Sequence, residues 1–184
     1  MQFGKLTSAS QPLQVFQCNS AVSESNPVPS FFPFHTNNGV SRPLFKMASL
    51  ICSEMVSRVS SILNRDAKQF GKSFMFDGKE ETCWNSDQGS VQWLTLAFPQ
   101  TVRVSQIVIQ FQGGFASQKC TLKGFRNGEE LPETAEFYPE DTNSLQTFPM
   151  KEMQLEKLKI TFENSTDFFG RIIVYRLDVL GEKL

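Results

Sequence analysis

From about Leu50 onward, apolar and polar residues alternate along the chain with a period of two. In the run KLKITFE, Leu158, Ile160 and Phe162 alternate with charged or hydroxyl side chains. This spacing is typical of a half-buried strand, because successive side chains of a strand point to opposite faces. A second run, RIIVYRLDVL, is predicted to place these residues on one face: Ile173, Tyr175, Leu177 and Val179.

The run VRVSQIVIQF changes phase in its middle. Val104 belongs to one alternating set, whereas Ile107 and Ile109 belong to the other. One extra residue within the strand would bring both sets to the same face of the sheet. The sequence therefore predicts a β-bulge near Ser105-Gln106.

No long segment has the period of a helix, and the best candidate, Asp66–Phe74, predicts only a turn or two. The runs WLTLAF and KCTLKGF predict further short strands, with turn residues such as Gly113-Gly114 between the runs. Several short strands separated by turn signals are typical of two-layer β proteins. We expect an all-β fold, an antiparallel β-sandwich or jelly roll, formed by one domain over residues 47–184.

Residues 1–46 lack the alternating pattern. They are rich in Ser, Pro, Asn and Gln and contain few charges, which predicts a disordered N-terminal extension. The cluster of Phe31, Phe32 and Phe34 is either a short docking motif or part of a tail without function. Met47 stands immediately before the patterned region and is therefore a candidate for the natural start of the protein.

The distribution of charge argues against nucleic acid as a direct ligand. Three of the 18 basic residues and one of the 19 acidic residues lie in 1–46, which leaves 15 and 18 for the domain. A slightly acidic domain lacks the extended basic surface that neutralises phosphates.

The four cysteines, Cys18, Cys52, Cys83 and Cys120, show neither zinc-ribbon spacing nor a dense disulfide framework. This use of cysteine is typical of a reducing compartment, and we expect Cys83 and Cys120 to be small buried side chains. The sequence has no apolar run long enough to span a bilayer, and its first residues lack the apolar core of a signal peptide. We therefore expect an intracellular protein.

The residue types that catalysis most often needs are missing from the patterned domain. His35 is the single histidine of the sequence and lies in the extension, so the domain has no histidine for a general base, a catalytic triad or a metal site. Gly113-Gly114 is not followed by the helix that a phosphate-binding loop requires. We predict that the protein is not an enzyme and holds no cofactor and no metal.

Two signatures at opposite ends of the domain resemble the discoidin family, the factor V/VIII C-type domains. The first is a DG pair, then TCW and, after a loop, WLTL; the second is the closing run LEKLKITFENSTDFFGRIIVYRLDVLG. The signature residues are Asp77, Gly78, Thr82, Trp84, Trp93 and Gly181. The resemblance implies a β-sandwich of the discoidin, galactose-binding-like type that binds partners.

The chemistry of the first signature agrees with this resemblance. Gly78 accepts a positive φ and Asp77 can accept hydrogen bonds from the backbone that follows, so the pair predicts a turn. Thr82 can tie this turn through its hydroxyl. Trp84 and Trp93 must bury much surface, and we expect both to be core residues rather than ligand platforms.

Two departures from the family pattern refine what the resemblance implies. Extracellular discoidin domains commonly join their two ends by a disulfide, but this chain closes without a second cysteine to pair with Cys52. Many sugar-binding members hold calcium near the DG turn with an acid on the last strand, where this chain has Arg176. We therefore expect an intracellular member without calcium. A carbohydrate-binding module is the alternative function; membrane insertion of loop aromatics is a third, which the acidic charge disfavours.

The runs VSRVSSILNR, FDGKEETCWNSDQG and DFFGR resemble, more narrowly, a family of small nuclear receptor-associated proteins. That resemblance implies a protein partner that is an orphan nuclear receptor, repression of receptor-driven transcription, and a nuclear or nucleocytoplasmic location. The sequence has no LxxLL motif, so contact with a receptor would come from the folded surface or the phenylalanine-rich tail. The oligomeric state stays open.

In discoidin domains the ligand surface is usually a set of loops at one end of the sandwich. Carried onto this chain, these loops are 64–72, 85–89, 112–117 and 165–171. Aromatic and arginine side chains in otherwise polar loops are typical of binding hot spots. The candidate partner-binding residues are Phe70, Lys72, Asp87, Gln88, Gln112, Phe115, Phe168, Phe169 and Arg171. We expect the four phenylalanines to be exposed and adjacent; alternatively, each packs beneath its own loop and closes the end of the sandwich.

Overall fold

A computed structural model describes residues 47–184. The predictions made for residues 1–46, namely the disordered extension and its phenylalanine cluster, lie outside the described residues. The strands are β1 (Ala48–Ser49), β2 (Val56–Val59), β3 (Trp84–Asn85), β4 (Val91–Phe111), β5 (Ser117–Arg126), β6 (Glu129–Phe137), β7 (Leu145–Ser165) and β8 (Ile173–Lys183).

Two long bent strands build the two layers. Neighbouring strands follow the order β1-β8-β4-β7-β5-β6, with β2 added to β4 and β3 added to β8, and all pairings are antiparallel. β4 and β7 pair with each other twice, with a break in register between Ala97 and Val102 of β4. Before this break β4 also pairs with β2, and after it with β8. Each long strand therefore contributes to both layers, and the predicted antiparallel β-sandwich is confirmed.

The alternating positions fill the core between these layers. In β7, Leu158, Ile160 and Phe162 are buried, as the period-two pattern predicts. In β4 the register shifts between Val104 and Gln106, so Ser105 is the extra residue that keeps the buried side chains on one face. The predicted bulge is therefore confirmed.

The prediction that Tyr175 shares the inner face of β8 with Leu177 and Val179 is wrong. Val174 is fully buried, whereas Tyr175 is half-buried and donates its hydroxyl to Gln112 Oε1 at 3.1 Å. The register shifts opposite Gln110 and Phe111, which inserts one extra residue into β8. Residues 172–174 are all apolar, so they show no apolar–polar alternation from which this shift could have been predicted.

The segment between β2 and β3 contains short helical turns. Two 3-10 turns, Leu63–Arg65 and Lys72–Phe76, flank the single-turn helix α1 (Ala67–Phe70). Asp66 Oδ1 accepts from the backbone N–H groups of Lys68 and Gln69, which caps α1. This agrees with the short turn predicted for Asp66–Phe74.

The DG turn positions one tryptophan as predicted. Asp77 accepts from the Lys79 backbone N–H at 2.9 Å and from the Thr82 hydroxyl at 2.7 Å. Trp84, just after this turn, is fully buried and packs on Phe162 with 5.8 Å between ring centroids. Trp84 is therefore the core residue that the signature predicts.

The expected core position of Trp93 is wrong. Its neighbours Gln92 and Leu94 point into the protein and are buried, so Trp93 lies on the opposite face of β4 and is half-buried. Lys159 places its Nζ 5.8 Å from the centre of the Trp93 ring. The indole is therefore part of the outer surface.

The cysteine side chains agree with the sequence expectation. Cys83 and Cys120 are buried, and Cys52 is half-buried; none of the three forms a disulfide. Burial raises the pKa of the Cys120 thiol to about 12. Cys120 is therefore protonated at neutral pH and unreactive, because the nucleophile is the thiolate.

Gly181, which closes the second signature, lies on β8 directly against the backbone of β4. A Cβ at this position would be 1.9 Å from the Arg103 carbonyl oxygen of β4. A backbone atom cannot move aside as a flexible side chain can. Only glycine fits here without separating the two strands.

We predict that Gly181→Ala lowers the free energy of unfolding by about 1–3 kcal/mol, the usual cost of forcing extra atoms into a packed site. Gly113→Ala is the matched control, since a Cβ there would meet only ordinary contacts, the nearest at 3.6 Å. Urea denaturation followed by circular dichroism measures both variants. Equal stability of the two would contradict the account of Gly181.

Candidate functional site

Three of the four predicted loops meet at one end of the sandwich. The Gly89 backbone N–H donates to the Phe169 carbonyl at 3.1 Å, which joins loop 85–89 to loop 165–171. The Thr166 backbone N–H donates to the Ala116 carbonyl at 2.9 Å, which joins loop 165–171 to loop 112–117. We call these three loops together the loop end. Their backbone bonds make it one continuous surface.

Gly170 allows the closest of these contacts. Its φ is +78°, and a Cβ at this position would be 2.2 Å from the Gly89 carbonyl oxygen. Loop 165–171 can therefore lie against loop 85–89 only with glycine at this position.

The Asp167–Arg171 pair fixes the shape of loop 165–171. Arg171 donates from Nη2 to Asp167 Oδ1 at 3.0 Å and from Nε to Oδ2 at 3.1 Å, a two-bond arrangement. Oδ2 also accepts from the backbone N–H groups of Phe169 and Arg171. Only 9% of the Asp167 side chain and 19% of the Arg171 side chain are exposed. Water therefore screens the pair poorly.

Burial raises the pKa of Asp167, but the hydrogen bonds and positive charge of Arg171, with the Phe169 N–H, outweigh it. The pKa of this carboxyl therefore lies below its ordinary value. The carboxylate stays ionised at neutral pH, so the ion pair is intact.

Two phenylalanines at the tip of this loop face the solvent. Phe168 is 94% exposed and Phe169 is 54% exposed, with 5.3 Å between their ring centroids in an edge-to-face arrangement. Below them, the Arg171 guanidinium lies 5.0 Å from the Phe115 ring and 5.8 Å from the Phe169 ring. The structure thus brings Phe115, Phe168, Phe169 and Arg171 close together, although Phe115 is half-buried rather than exposed. That these residues bind a partner stays a prediction.

Phe70 was predicted to be an exposed loop residue, and that prediction is wrong. Its side chain is only 7% exposed, because α1 ends at Phe70 and turns this ring inward. Lys72 donates its Nζ to the Ser57 carbonyl and so lies back against β2. Loop 64–72 therefore contributes no aromatic anchor to the loop end.

The remaining predicted residues lie around the loop end. Gln88 is exposed, and Asp87 accepts from the Gln88 backbone N–H at 2.9 Å. Gln112 is half-buried and accepts from the Tyr175 hydroxyl. None of these contacts tests whether Asp87, Gln88 or Gln112 binds a partner, and their role stays a prediction.

A buried polar network behind the loops was not predicted. Gln92 is 3% exposed; it accepts from the hydroxyls of Ser60 and Ser61 and donates to the Asp87 carbonyl at 2.9 Å. The Ser61 hydroxyl also accepts from the Asp87 backbone N–H at 3.0 Å. In the strand VQWLTLAF, Gln92 is polar and its neighbour Trp93 is a large aromatic. The sequence alone therefore gave no reason to place Gln92 in the interior instead of Trp93.

The loop 138–144 also supports the site, although the sequence analysis did not include it. Asn143 accepts from the Gly113 backbone N–H and Asp141 from the Gly114 backbone N–H, both at 2.7 Å. These bonds hold the tip of loop 112–117 from the side. The run YPEDTNS is rich in turn-forming residues, but nothing in the sequence pairs its Asp141 and Asn143 with the two glycines.

The carboxylate of the DG turn is fully engaged by its own turn, through Lys79 and Thr82. Arg176 is exposed on β8. Within residues 47–184 no group of three or more His, Cys, Asp or Glu side chains could hold a metal ion. The residues described at this turn therefore do not fit a calcium site, and the lack of calcium stays a prediction that binding must test.

Among residues 47–184, no helix is long and apolar enough to cross a membrane.

Comparison with known protein families and curated proteins identifies close relatives. Residues 74–160 match the model of the F5/8 type C family described as a NedA-like, galactose-binding domain. The nuclear receptor 2C2-associated protein of Danio rerio is 65% identical over 136 residues, which cover 73% of this chain and 96% of that protein. The protein of the same name from Homo sapiens is 60% identical and covers 74% of this chain and 98% of its own length.

Solved structures show the same fold at low sequence identity. The family 32 carbohydrate-binding module of Clostridium perfringens NanJ, in complex with galactose, matches with a TM-score of 0.61 and 24% identity. It covers 73% of this chain and 99% of its own. The F5/8 type C domain of a Bacteroides fragilis protein matches with a TM-score of 0.63 at 13% identity, covering 75% of this chain and 98% of its own. At these identities the likeness concerns the fold.

We predict that Asp167→Asn destabilises the protein by about 1–3 kcal/mol at pH 7, because it leaves the Arg171 charge without its partner in a largely buried site. A carboxyl whose pKa is lowered by folding contributes stability above its unfolded pKa, and this contribution is lost as the pH falls through the folded pKa. The difference between the two proteins should therefore shrink below about pH 4, near the unfolded pKa of Asp.

Urea denaturation at pH 7 and at a series of acidic pH values measures this difference. Glu133→Gln, which neutralises an exposed carboxylate of β6, is the control and should change stability little at either pH. A constant difference between wild type and Asp167→Asn across the series would contradict the role given to the ion pair.

We also predict that calcium does not bind at the DG turn. The melting temperature should be the same in millimolar calcium chloride and in excess chelator. A calcium-dependent rise in the melting temperature would show that residues other than those described here complete a site.

Proposed function

This chain belongs to the nuclear receptor 2C2-associated protein family, and from that membership we propose that it is a non-catalytic module that binds a nuclear receptor through the loop end. The observation that carries the proposal is the exposed pair Phe168 and Phe169. Two adjacent phenylalanine rings in water cost free energy that burial against a partner recovers, at roughly 25 cal/mol per Å² of apolar surface.

The rigidity of the supporting loop favours binding. The Asp167–Arg171 pair and the close contact of Gly170 with Gly89 fix the loop backbone that carries the two rings before a partner arrives. An anchor that is already ordered loses little conformational entropy when it binds. The phenylalanine pair is therefore suited to enter a preformed apolar pocket of another protein.

Polar groups around the phenylalanine pair can supply specificity. Arg171 and Gln88 lie on the loops that carry or contact the two rings, and both side chains can donate hydrogen bonds. A hydrophobic centre with a polar rim is the usual composition of protein interfaces. This arrangement supports a protein partner.

The proposed effect on the receptor is repression, and the proposed location is the nucleus or both nucleus and cytoplasm. A module that binds without chemistry acts on a receptor by occupying part of its surface. Occupying a surface that other partners need would lower receptor-driven transcription. The resemblance to small nuclear receptor-associated proteins and the exposed phenylalanine pair support this effect.

Carbohydrate binding is the alternative that the fold suggests. The related carbohydrate-binding module of NanJ binds galactose, but its likeness to this chain concerns the fold alone. Galactose added to the binding assay below distinguishes the two, since competition by the sugar would favour the alternative.

We predict that the double variant Phe168→Ser/Phe169→Ser weakens binding to purified nuclear receptor 2C2 at least ~30-fold, as expected for loss of an interface hot spot of about 2 kcal/mol. Val56→Ser/Leu184→Ser, which removes two other exposed apolar side chains, is the matched control. Binding by surface plasmon resonance and repression in a receptor-driven reporter assay should change together. Full binding by the loop-end variant, shown to be folded, would refute the proposed surface.

A further inference from the structure

A second surface, separate from the phenylalanine pair, lies at the end of β2. An open cavity of about 460 Å³ is lined there by three cationic residues, three apolar residues and one serine. We call it the basic groove, and its residues are Arg58, Val59, Ser61, Ile62, Arg65, Lys72 and Trp93. No acidic side chain lines it.

The strand register explains why these side chains converge. Arg58 of β2 pairs with Thr95 of β4, and Thr95 pairs with Lys159 of β7. Directly paired residues of neighbouring strands present their side chains on the same face. Trp93 is two residues before Thr95 and shares that face, so Lys159 reaches its ring at 5.8 Å and adds a fourth cation at the margin of the groove.

None of these four cations has an acidic partner within residues 47–184, because none takes part in an ion pair there. A neighbouring cation outside the groove does have an acidic partner. Lys123 of β5 lies directly beside Lys159 of β7, and its Nζ forms an ion pair with Glu130 at 2.6 Å. The positive charge of the basic groove is therefore not neutralised by the domain itself, although the domain as a whole is slightly acidic.

We propose that the basic groove binds an acidic peptide segment of a protein partner. Its carboxylates would accept hydrogen bonds from Arg58 and Arg65, whose guanidinium groups match carboxylate geometry. An apolar side chain of the same segment would pack on the Trp93 ring, which lines the groove. The proposal takes from the proposed function only that the ligand is a protein, and it uses a different surface.

Charge favours a short peptide over nucleic acid. A nucleic acid strand follows a long basic track and neutralises several phosphates. Here the cations are confined to one cavity, and the rest of the domain carries more acidic than basic residues. A segment of a few residues fills the cavity without extending over that acidic surface.

The experiment uses the full chain, labelled with ¹⁵N, and titrates it with a synthetic peptide of glutamate and leucine. The two tryptophans of the sequence give separate indole N–H signals. The Trp93 signal should shift more than that of the buried Trp84, whose indole N–H donates to the Ser61 carbonyl. A peptide with glutamine in place of every glutamate should bind at least tenfold more weakly, and binding should weaken as salt increases.

The double variant Arg58→Glu/Arg65→Glu should weaken binding of the acidic peptide at least tenfold. Lys79→Glu/Lys151→Glu makes the same change in net charge at exposed positions outside the groove and should change the affinity less than twofold. Equal losses in the two double variants, or no shift of the Trp93 signal, would overturn the proposal.

A thymidine oligonucleotide is the second ligand. Tighter binding of the oligonucleotide than of the acidic peptide would overturn the peptide assignment in favour of nucleic acid. Because Phe168 and Phe169 are unchanged in the groove variants, loss of peptide binding and loss of receptor binding are measured independently.

Discussion

The burial of Trp84 is the constraint on which both surfaces depend. Its ring packs against Phe162 between the two layers, and its indole N–H donates to the Ser61 carbonyl at 3.0 Å. Trp84 also belongs to the two-residue strand that pairs with the beginning of β8. Trp84 thus connects three parts of the fold. It holds Ser61, which follows β2; it stands next to the start of loop 85–89; and it pairs with β8, the strand that follows loop 165–171.

The network around Gln92 extends this constraint to the surface. Ser61 lines the cavity of the basic groove, and its hydroxyl also holds the Asp87 backbone N–H of the loop end. The two surfaces therefore share one buried support while presenting different chemistry. The loop end offers apolar rings, and the basic groove offers cations beside an indole. A partner with an apolar pocket and an acidic segment could contact both.

The predictions that succeeded rest on local relationships. Alternation identifies the strands and the bulge at Ser105, because a strand side chain faces one of only two sides. The DG turn succeeds because Asp77 binds residues only a few positions away. The predictions failed where a distant segment decides burial. Trp93 was expected inside because of its size, but the register of β4 gives the inner position to Gln92. Its side-chain oxygen accepts from the Ser60 and Ser61 hydroxyls, and its N–H₂ group donates to the Asp87 carbonyl.

Periodicity, turn chemistry and family resemblance were enough to predict the all-β class, the signature turn, the buried position of Trp84 and three loops that meet at one end. Which aromatic rings face water depends on long-range packing that these local signals do not contain. Phe70 and Phe168 both stand in polar surroundings in the sequence, yet α1 turns the first inward and the Asp167–Arg171 pair holds the second outward. The basic groove likewise exists only after pairing of β2, β4 and β7 brings Arg58, Trp93 and Lys159 to one face, because strand register is set by long-range contacts.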